Sequence, residues 1–397
     1  MTLKVDTIRH HNASSDALTF DSSGNTTIEG NATVDGQLKT AGIRNASASS
    51  DSITFAADGT CTAKITNYPH RNLVINGGFD VWQRATDSGS NTTDGYLAAD
   101  RWYLGSSGAT KQVTRQAFTL GQTDVSGFPT YYLRYAVTTG NNNCALRQYI
   151  EDERTVQGEV TLSFWAKGTN PNGGNFDLIQ HQDFGTGGSP SSVVDTTIGT
   201  LTVTGSWVRY TYTFTPPSIA SKTFGTNNNS MYKLEIFRQP DGDTSTNAYT
   251  IDIANVQLEY GNSATDFERL SYGDELLRCQ RYYQEVSRTS SANSIAGKFA
   301  AGTGNDNAGN GGILQVMVRF PTTMRAVPTM TQSGTFSHHV SGVNVADTTL
   351  TFNQAFVDGV AGTGTQTTFI HTDGFCGELT SKYSDTSTAI IKASAEL

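Results

Sequence analysis

Positive charge, closely spaced cysteines and long apolar runs are all scarce in this 397-residue sequence. The formal net charge is -9, and no dense run of Lys and Arg occurs. This argues against a nucleic-acid groove, because such grooves need clustered positive charge. The four cysteines, Cys61, Cys144, Cys279 and Cys376, lie far apart in the sequence. We therefore expect neither a disulfide framework nor a zinc site.

No apolar run approaches the ~18 residues that cross a bilayer, and no charged-then-apolar leader opens the chain. We therefore expect synthesis in a cytoplasm and no membrane insertion. The sequence is rich instead in Gly, Thr, Ser and Asn, with 40 glycines. This composition is typical of a β-rich protein with many turns.

The first seventy residues contain one pattern twice, at an offset of 35 residues. Each copy has an L/I-T-F segment with alternating apolar residues, a turn that contains Gly, and a Thr-rich extended stretch, which together predict a β-hairpin. The matched positions are Ile8 and Ile43, Leu18 and Ile53, Phe20 and Phe55, and Gly24 and Gly59.

Each copy has too few apolar side chains to fold alone, because the entropic cost of ordering its backbone exceeds the free energy gained by burying them. In the first copy the core candidates are Leu18, Phe20 and Ile28. We expect identical chains to supply the missing partners, with three chains wrapped around one axis. Two alternatives remain open: a disordered tail with chance similarity, and a two-hairpin domain within one chain.

Residues 71–270 contain about eight segments with period-2 alternation, separated by Gly, Asn and Ser turns. In GEVTLSFWAKG, one face carries Val160, Leu162 and Phe164, and the opposite face carries Trp165. This pattern predicts an antiparallel β-sandwich.

Several motifs in this region resemble a known family. The NGGF opening, the SFWAK and WVRYTYTF strands and the closing IDIANVQLE resemble jelly-roll carbohydrate-binding modules. More narrowly, NGGFDVWQR with DRW, ending in VQLEYGNSATDFE, resembles the module found in bacteriophage fibre proteins. The later FPTTMRAVPT and AIIKASAEL resemble the C-terminal domain of such fibres, and the opening LKVDTI resembles the attachment end of podovirus-type fibres.

The resemblance implies a homotrimeric tail fibre on the virion, made in the host cytoplasm. Residues 1–70 would attach it to a tail adaptor, a nozzle or a capsid protein, and the sandwiches would bind a host-surface glycan or protein. Two alternatives remain: a head fibre or structural decoration that reads no receptor, and a glycan-cleaving tailspike. No catalytic motif is recognisable in the sequence, so we expect no enzymatic activity.

Candidate site residues follow from the same resemblance. Trp165, on the non-core face of its strand, and the tryptophans Trp82 and Trp102 are candidates for stacking on a sugar. The alternative is core or interdomain packing for Trp82 and Trp102, and packing under a neighbouring chain for Trp165. The resemblance also implies a structural calcium, with Asp80 and Asp252 as candidate ligands. The alternative is a turn cap and a solvated strand residue. No other cofactor is expected.

The fold class is therefore all-β, with one short linking helix. The segment SYGDELLRCQRYYQE opens with a Ser271–Asp274 capping box and continues with helically spaced apolar residues as far as Tyr283. In a trimer three such helices could meet on the axis, or each could pack on its own sandwich. We divide the chain into N-terminal hairpin repeats, a jelly-roll sandwich, the linking helix and a small C-terminal sandwich, at residues 1–70, 71–270, 271–287 and 288–397.

Overall fold

A computed structural model describes most of the chain between residues 69 and 288, and parts of the rest. Besides the individual strands named below, it covers residues 69–106, 108–139, 144–170, 174–239, 248–288, 314–333 and 389–397. The chain forms two compact units, Met1–Thr66 and Asn67–Leu397. No helix in the described part is long and apolar enough to cross a membrane.

The N-terminal unit contains the same small antiparallel sheet twice. The strands of the first copy are β1 (Thr7–Ile8), β2 (Leu18–Phe20) and β3 (Thr26–Ile28), and those of the second are β4 (Gly42–Ile43), β5 (Ile53–Phe55) and β6 (Cys61–Ala63). Leu18 pairs with Ile28 in the first copy, and Ile53 pairs with Ala63 in the second. The repeat therefore preserves strand register, which confirms the predicted hairpins and adds a short third strand to each.

The second unit contains a ten-stranded antiparallel sandwich. Its strands are β7 (Trp102–Gly105), β8 (Thr110–Ala117), β9 (Tyr131–Thr139), β10 (Ala145–Glu151), β11 (Val160–Gly168), β12 (Phe176–Asp183), β13 (Val194–Leu201), β14 (Val208–Phe214), β15 (Met231–Arg238) and β16 (Tyr249–Tyr260). Sheet I has the order β13-β12-β15-β10-β7, and sheet II has the order β14-β11-β16-β9-β8. This crossed order is that of a jelly-roll sandwich and confirms the predicted fold class.

The core lies between the two sheets and follows the predicted alternation. Val160, Leu162 and Phe164 are fully buried and belong to the core cluster, and Tyr210 and Tyr212 of β14 pack against it. A β-strand turns successive side chains to opposite faces, so the residues between these core positions point to the outer faces of the two sheets.

The single α-helix of the described region, α1 (Tyr272–Gln280), begins where the capping box predicts. The Ser271 hydroxyl accepts a hydrogen bond from the backbone N–H of Asp274 at 3.2 Å. The helix ends earlier than the apolar spacing predicts, because Tyr283 already belongs to strand β17 (Tyr283–Arg288).

Helix α1 packs on its own sandwich, the second of the two arrangements considered. Arg278 donates a hydrogen bond to the Asn72 carbonyl at 3.1 Å, and the Arg281 guanidinium forms a bidentate pair with Glu151 at 2.9 and 2.8 Å. Cys279 is buried in the same contact.

In the part of the C-terminal region that the structure describes, nine further strands follow β17. They are β18 (Ser294–Ala300), β19 (Leu314–Arg319), β20 (Thr329–Ser333), β21 (Phe336–Val340), β22 (Val343–Asp347), β23 (Leu350–Phe356), β24 (Gly359–Gly364), β25 (Cys376–Ser381) and β26 (Ala389–Ser394). They form three antiparallel sheets in the orders β17-β26-β20, β18-β25-β21-β22 and β19-β24-β23. The segment QTTFIHT at residues 366–372, whose composition predicts a further strand, lies outside the described residues.

The chain end packs back on the jelly-roll. Glu396 forms ion pairs with Arg84 at 2.8 Å and with the fully buried Arg101. The Arg101 guanidinium lies 3.5 Å from the ring centroid of Tyr282, and that of Arg84 lies 3.6 Å from Tyr283. The last residues thus hold the start of β17 against the sandwich.

Candidate functional site

A row of five polar side chains crosses the outer face of sheet I, one from each strand. We call this row the polar band, and its members are Asp195 (β13), His181 (β12), Glu235 (β15), Arg147 (β10) and Tyr103 (β7). Cross-strand register places Arg147 opposite both Tyr103 and Glu235, and His181 opposite Asp195. His181 itself lies opposite Lys233 on β15 and reaches the Glu235 carboxylate diagonally. With strands about 4.8 Å apart, the band is roughly 19 Å long.

The carboxylate of Glu235 lies at the centre of the band. Its Oε1 is 2.7 Å from Nε of Arg147 and 3.2 Å from Nζ of Lys233, and its Oε2 is 3.3 Å from Nε2 of His181. Nδ1 of His181 in turn contacts the carboxylate of Asp195. These contacts fix the positions of donors and acceptors before any ligand arrives, which lowers the entropy cost of binding.

Glu235 is only 2% exposed, although it points outward from the sheet. Burial alone raises the pKa of this carboxyl. The hydrogen bond from His181 and the charges of Arg147 and Lys233 outweigh burial and lower the pKa to about 2. The carboxylate is therefore ionised throughout the physiological range and accepts hydrogen bonds only.

Gly105 on β7 provides the space in which the Arg147 guanidinium lies. A Cβ at position 105 would stand 2.3 Å from Cζ and 2.4 Å from Nη1 of Arg147. No positive backbone torsion demands glycine there, because Gly105 is not among the glycines with positive φ. The absence of a side chain at position 105 therefore leaves room for the Arg147 guanidinium.

Three tyrosines extend the band at its β7 end. The ring centroids of Tyr96 and Tyr103 are 5.2 Å apart, and those of Tyr103 and Tyr149 are 5.5 Å apart, both pairs in edge-on geometry. Burial raises the pKa of Tyr149 to about 12 despite the nearby Arg147 charge. Tyr103 and Tyr149 are half-buried, so parts of their rings and hydroxyls reach solvent beside charged donors and acceptors. This combination suits a polyhydroxylated ligand.

Trp102, a predicted sugar-stacking residue, lies in the core instead. It is 0% exposed, its ring centroid is 5.2 Å from that of Phe79, and its Nε1 donates to the Asn76 carbonyl at 3.0 Å. It has no ring face free for a ligand, so the alternative of core packing applies. The reason is register: Trp102 pairs with Gln148 on the inner face of sheet I, while its neighbour Tyr103 points outward.

Trp165 points outward from sheet II, as the alternation predicts. It pairs with Arg209 across the strands and is half-buried. Trp207, just before β14, also contacts outward-facing residues: its ring centroid is 5.4 Å from that of Tyr132, and Nζ of Lys167 lies 5.0 Å from its ring. The outer face of sheet II is thus aromatic, and it also carries a charged group in which Asp252 lies between Arg134 and Lys167.

Trp82 and Asp80 line a cleft near the start of α1, together with Arg269. Trp82 is half-buried and donates its Nε1 hydrogen to the Phe79 carbonyl at 2.6 Å. Burial raises the pKa of Asp80, and the charge of Arg269 acts in the opposite direction.

The residues at Asp252 do not fit a calcium ion. Both carboxylate oxygens accept hydrogen bonds from Arg134, at 2.7 and 2.9 Å, so a guanidinium already occupies the place of a cation. Among the described residues, no group of three or more His, Cys, Asp or Glu could hold a metal ion. A calcium ligand at Asp80 stays a prediction.

The polar band was not predicted from the sequence. Its residues come from five segments between positions 103 and 235, and they meet only because the strand order of sheet I interleaves those segments. The available signal was the alternation in ALRQYIE, which places Arg147 and Tyr149 on the face opposite Leu146.

Comparisons with known proteins find matches among solved structures only. No protein-family model matches the chain, and no curated protein matches its sequence. Solved structures include the tailspike protein 4 enzymatically active domain of bacteriophage CBA120, at 17% identity over 48% of this chain and 22% of that chain, with a TM-score of 0.27. The tripod of the bacteriophage Tuc2009 baseplate matches at 16% identity over 56% of this chain and 65% of that chain, with a TM-score of 0.25.

A third match is the N-terminal cellulose-binding domain of Cellulomonas fimi β-1,4-glucanase C. Its identity is 14% over 36% of this chain and 88% of that chain, with a TM-score of 0.24. The neighbours therefore include phage tailspike and baseplate proteins and a carbohydrate-binding domain. These identities and TM-scores are too low to assign the chain to any of these groups.

Proposed function

We propose that this chain is a homotrimeric tail fibre of a bacteriophage and that its jelly-roll binds a glycan on the host surface through the polar band. Residues 1–70 attach it to the virion, through a tail adaptor, a nozzle or a capsid protein. The motifs of residues 71–270, which resemble those of phage fibre modules, support the first part of this proposal.

The polar band is the observation that carries the glycan-binding part. Sugar recognition needs fixed donors and acceptors beside aromatic surface. Arg147 and Glu235 supply a guanidinium and a carboxylate held 2.7 Å apart, and Tyr103 supplies ring surface next to them. A length of roughly 19 Å would accommodate several sugar units of a linear chain.

The experiment displaces the Arg147 guanidinium while leaving the arginine itself in the chain. In Gly105→Ala the new Cβ displaces the guanidinium, whose flexible end can move without breaking the fold. The matched control is Gly205→Ala, where a Cβ would meet nothing within 4 Å. We expect the full chain to bind host cells and their purified surface polysaccharide, Gly105→Ala to weaken that binding roughly tenfold or more, and Gly205→Ala to leave it unchanged.

The other readings predict different results. If no variant and no wild-type chain adheres to host cells, the chain is a structural decoration of the virion. If the polysaccharide becomes shorter during incubation, measured by its size distribution, the chain is a glycan-cleaving tailspike. If Gly105→Ala and wild type bind host cells equally, the polar band is excluded as the binding site, and the receptor binds elsewhere on the chain.

The N-terminal unit is the reason to expect a trimer. Each of its two small sheets has strands of two or three residues, and such sheets are not stable alone. We expect light scattering to give three times the chain mass of 42.6 kDa, and removal of residues 1–66 to reduce it. A monomer at micromolar concentration contradicts the trimer.

A further inference from the structure

A cleft of about 440 Å³ opens beside the start of α1. Its volume lies within the range of small-molecule sites in proteins. The polar band lies on the outer face of sheet I, whereas this cleft includes Arg115 of the edge strand of sheet II and Tyr131 of the neighbouring strand. The lining consists of Asp80, Trp82, Arg115, Tyr131, Arg269, Leu270 and Tyr272.

Two guanidinium groups give the cleft its positive character. Arg115 lies 4.5 Å from the ring centroid of Tyr131 and forms no ion pair with any described residue, so its outer N–H donors are available. Arg269 donates one hydrogen bond to the Gly127 carbonyl at 2.8 Å, which fixes its position. Two arginines against one carboxylate leave a net positive charge in a chain whose formal net charge is -9.

Aromatic surface borders these charges. Trp82 is held by its bond to the Phe79 carbonyl, and Tyr131 lies under Arg115. Tyr272, the first residue of α1, is 60% exposed, so much of its ring is open to solvent. Asp80 adds an acceptor for hydroxyl groups. Ring surface, free guanidinium and a hydroxyl acceptor together match a sugar that carries an acidic group.

We propose that this cleft binds a sugar residue bearing a carboxylate, with the carboxylate on Arg115 and Arg269 and the ring against Trp82 and Tyr272. The planar fork of an arginine suits a carboxylate, because two parallel N–H donors meet two oxygens. The inference is independent of the polar band, since it uses none of its residues.

The test uses the full-length chain and free glucuronate, with glucose as the uncharged counterpart and inorganic phosphate as a simple anion. Binding is followed by NMR of the indole N–H signals, because Trp82 lies in the cleft while Trp102 is buried in the core. We expect glucuronate to shift the Trp82 signal saturably, and glucose and phosphate to shift it at least tenfold more weakly.

Two variants locate the site. Arg115→Gln removes the free guanidinium, and we expect it to weaken glucuronate binding roughly tenfold or more. Tyr272→Ala removes an exposed ring from a position where alanine suits the helix, so it keeps the fold and weakens binding several-fold. The matched control is Arg154→Gln, at an arginine whose side chain is 66% exposed.

The outcomes separate clearly. A Trp82 shift that Arg115→Gln weakens and Arg154→Gln does not supports the site. If glucuronate and phosphate shift the Trp82 signal equally, the cleft does not recognise the sugar ring and is a general anion site, which overturns the proposal of a sugar site. Equal shifts with glucuronate and glucose, an absence of saturable binding, or a wild-type response in Arg115→Gln would overturn the proposal.

Discussion

Replacing Glu153 by Gln should change the pH dependence of folding. Glu153 opens a 3-10 turn (Glu153–Thr155) and is fully buried, with Oε1 accepting a hydrogen bond from Gln182 at 2.8 Å and Oε2 lacking a partner among the described residues. Burial raises its pKa from 4.5 to about 8, which the Gln182 bond only partly offsets. The folded state therefore retains a proton that the unfolded chain releases.

The direction of the effect follows from this difference. A carboxyl whose pKa is higher in the folded state contributes its stability fully below pH 4.5 and loses it as the pH rises to about 8. Each pH unit in this window changes the free energy of unfolding by about 1.4 kcal/mol. Across the window the loss is on the order of 3–5 kcal/mol, the lower value allowing for residual solvent screening.

Glu153→Gln keeps the shape of the side chain and removes the ionisation. We expect the variant and wild type to be similarly stable near pH 4, and the variant to be more stable by a few kcal/mol near pH 8. Chemical unfolding followed by tryptophan fluorescence measures the difference. Exposed Glu159→Gln is the control. A wild-type minus variant difference that stays constant between these pH values would refute the reasoning.

Three further predictions concern stability. Burial raises the pKa of Glu235, but its partners lower it from 4.5 to about 2, so its stabilisation is present above pH 4.5 and lost as the pH falls towards 2. Glu235→Gln should cost on the order of 2–3 kcal/mol at neutral pH and nothing near pH 2 in urea unfolding. Ser271→Ala should cost about 1 kcal/mol by loss of the N-cap, and Ser271→Gly only a few tenths, in the same assay. Glu396→Gln should cost about 3–5 kcal/mol, because it leaves the buried Arg101 without its ion-pair partner; a cost under about 1 kcal/mol, measured by thermal unfolding, would show that Arg101 finds another partner.

The sequence predicts those features of the fold that depend on local alternation. Leu162 and Phe164 are buried and Trp165 points outward, as period 2 requires. The two N-terminal hairpins are equally local, and their register repeats at the offset of 35 residues, so that Leu18 and Ile53 occupy matching positions. The pleat of a strand alone determines the face to which each of its side chains points.

Features that depend on strand order were not predictable in this way. Trp102 and Tyr103 are neighbours, and the short strand gives no signal for which of them faces the core; pairing with β10 decides this. The helical spacing of apolar residues continues in the sequence up to Tyr283, but the pairing of Tyr283 with Ser394, more than a hundred residues later, places that residue in a strand. Long-range pairing overrides local propensity here.

The same non-local pairing explains why a recognition surface can be rigid on an exposed sheet. The outward Arg147 and Glu235 would be mobile on a single hairpin, but five hydrogen-bonded strands fix their backbones, and the absent side chain of Gly105 fixes the guanidinium. Such an open face encloses little of a ligand, so each contact with a sugar is weak. Under the proposed trimer, three faces bind one cell surface together, and effective concentration raises the total affinity by about 10²–10⁴. Under this proposal, weak open sites and chain assembly through the N-terminal repeat together give firm attachment.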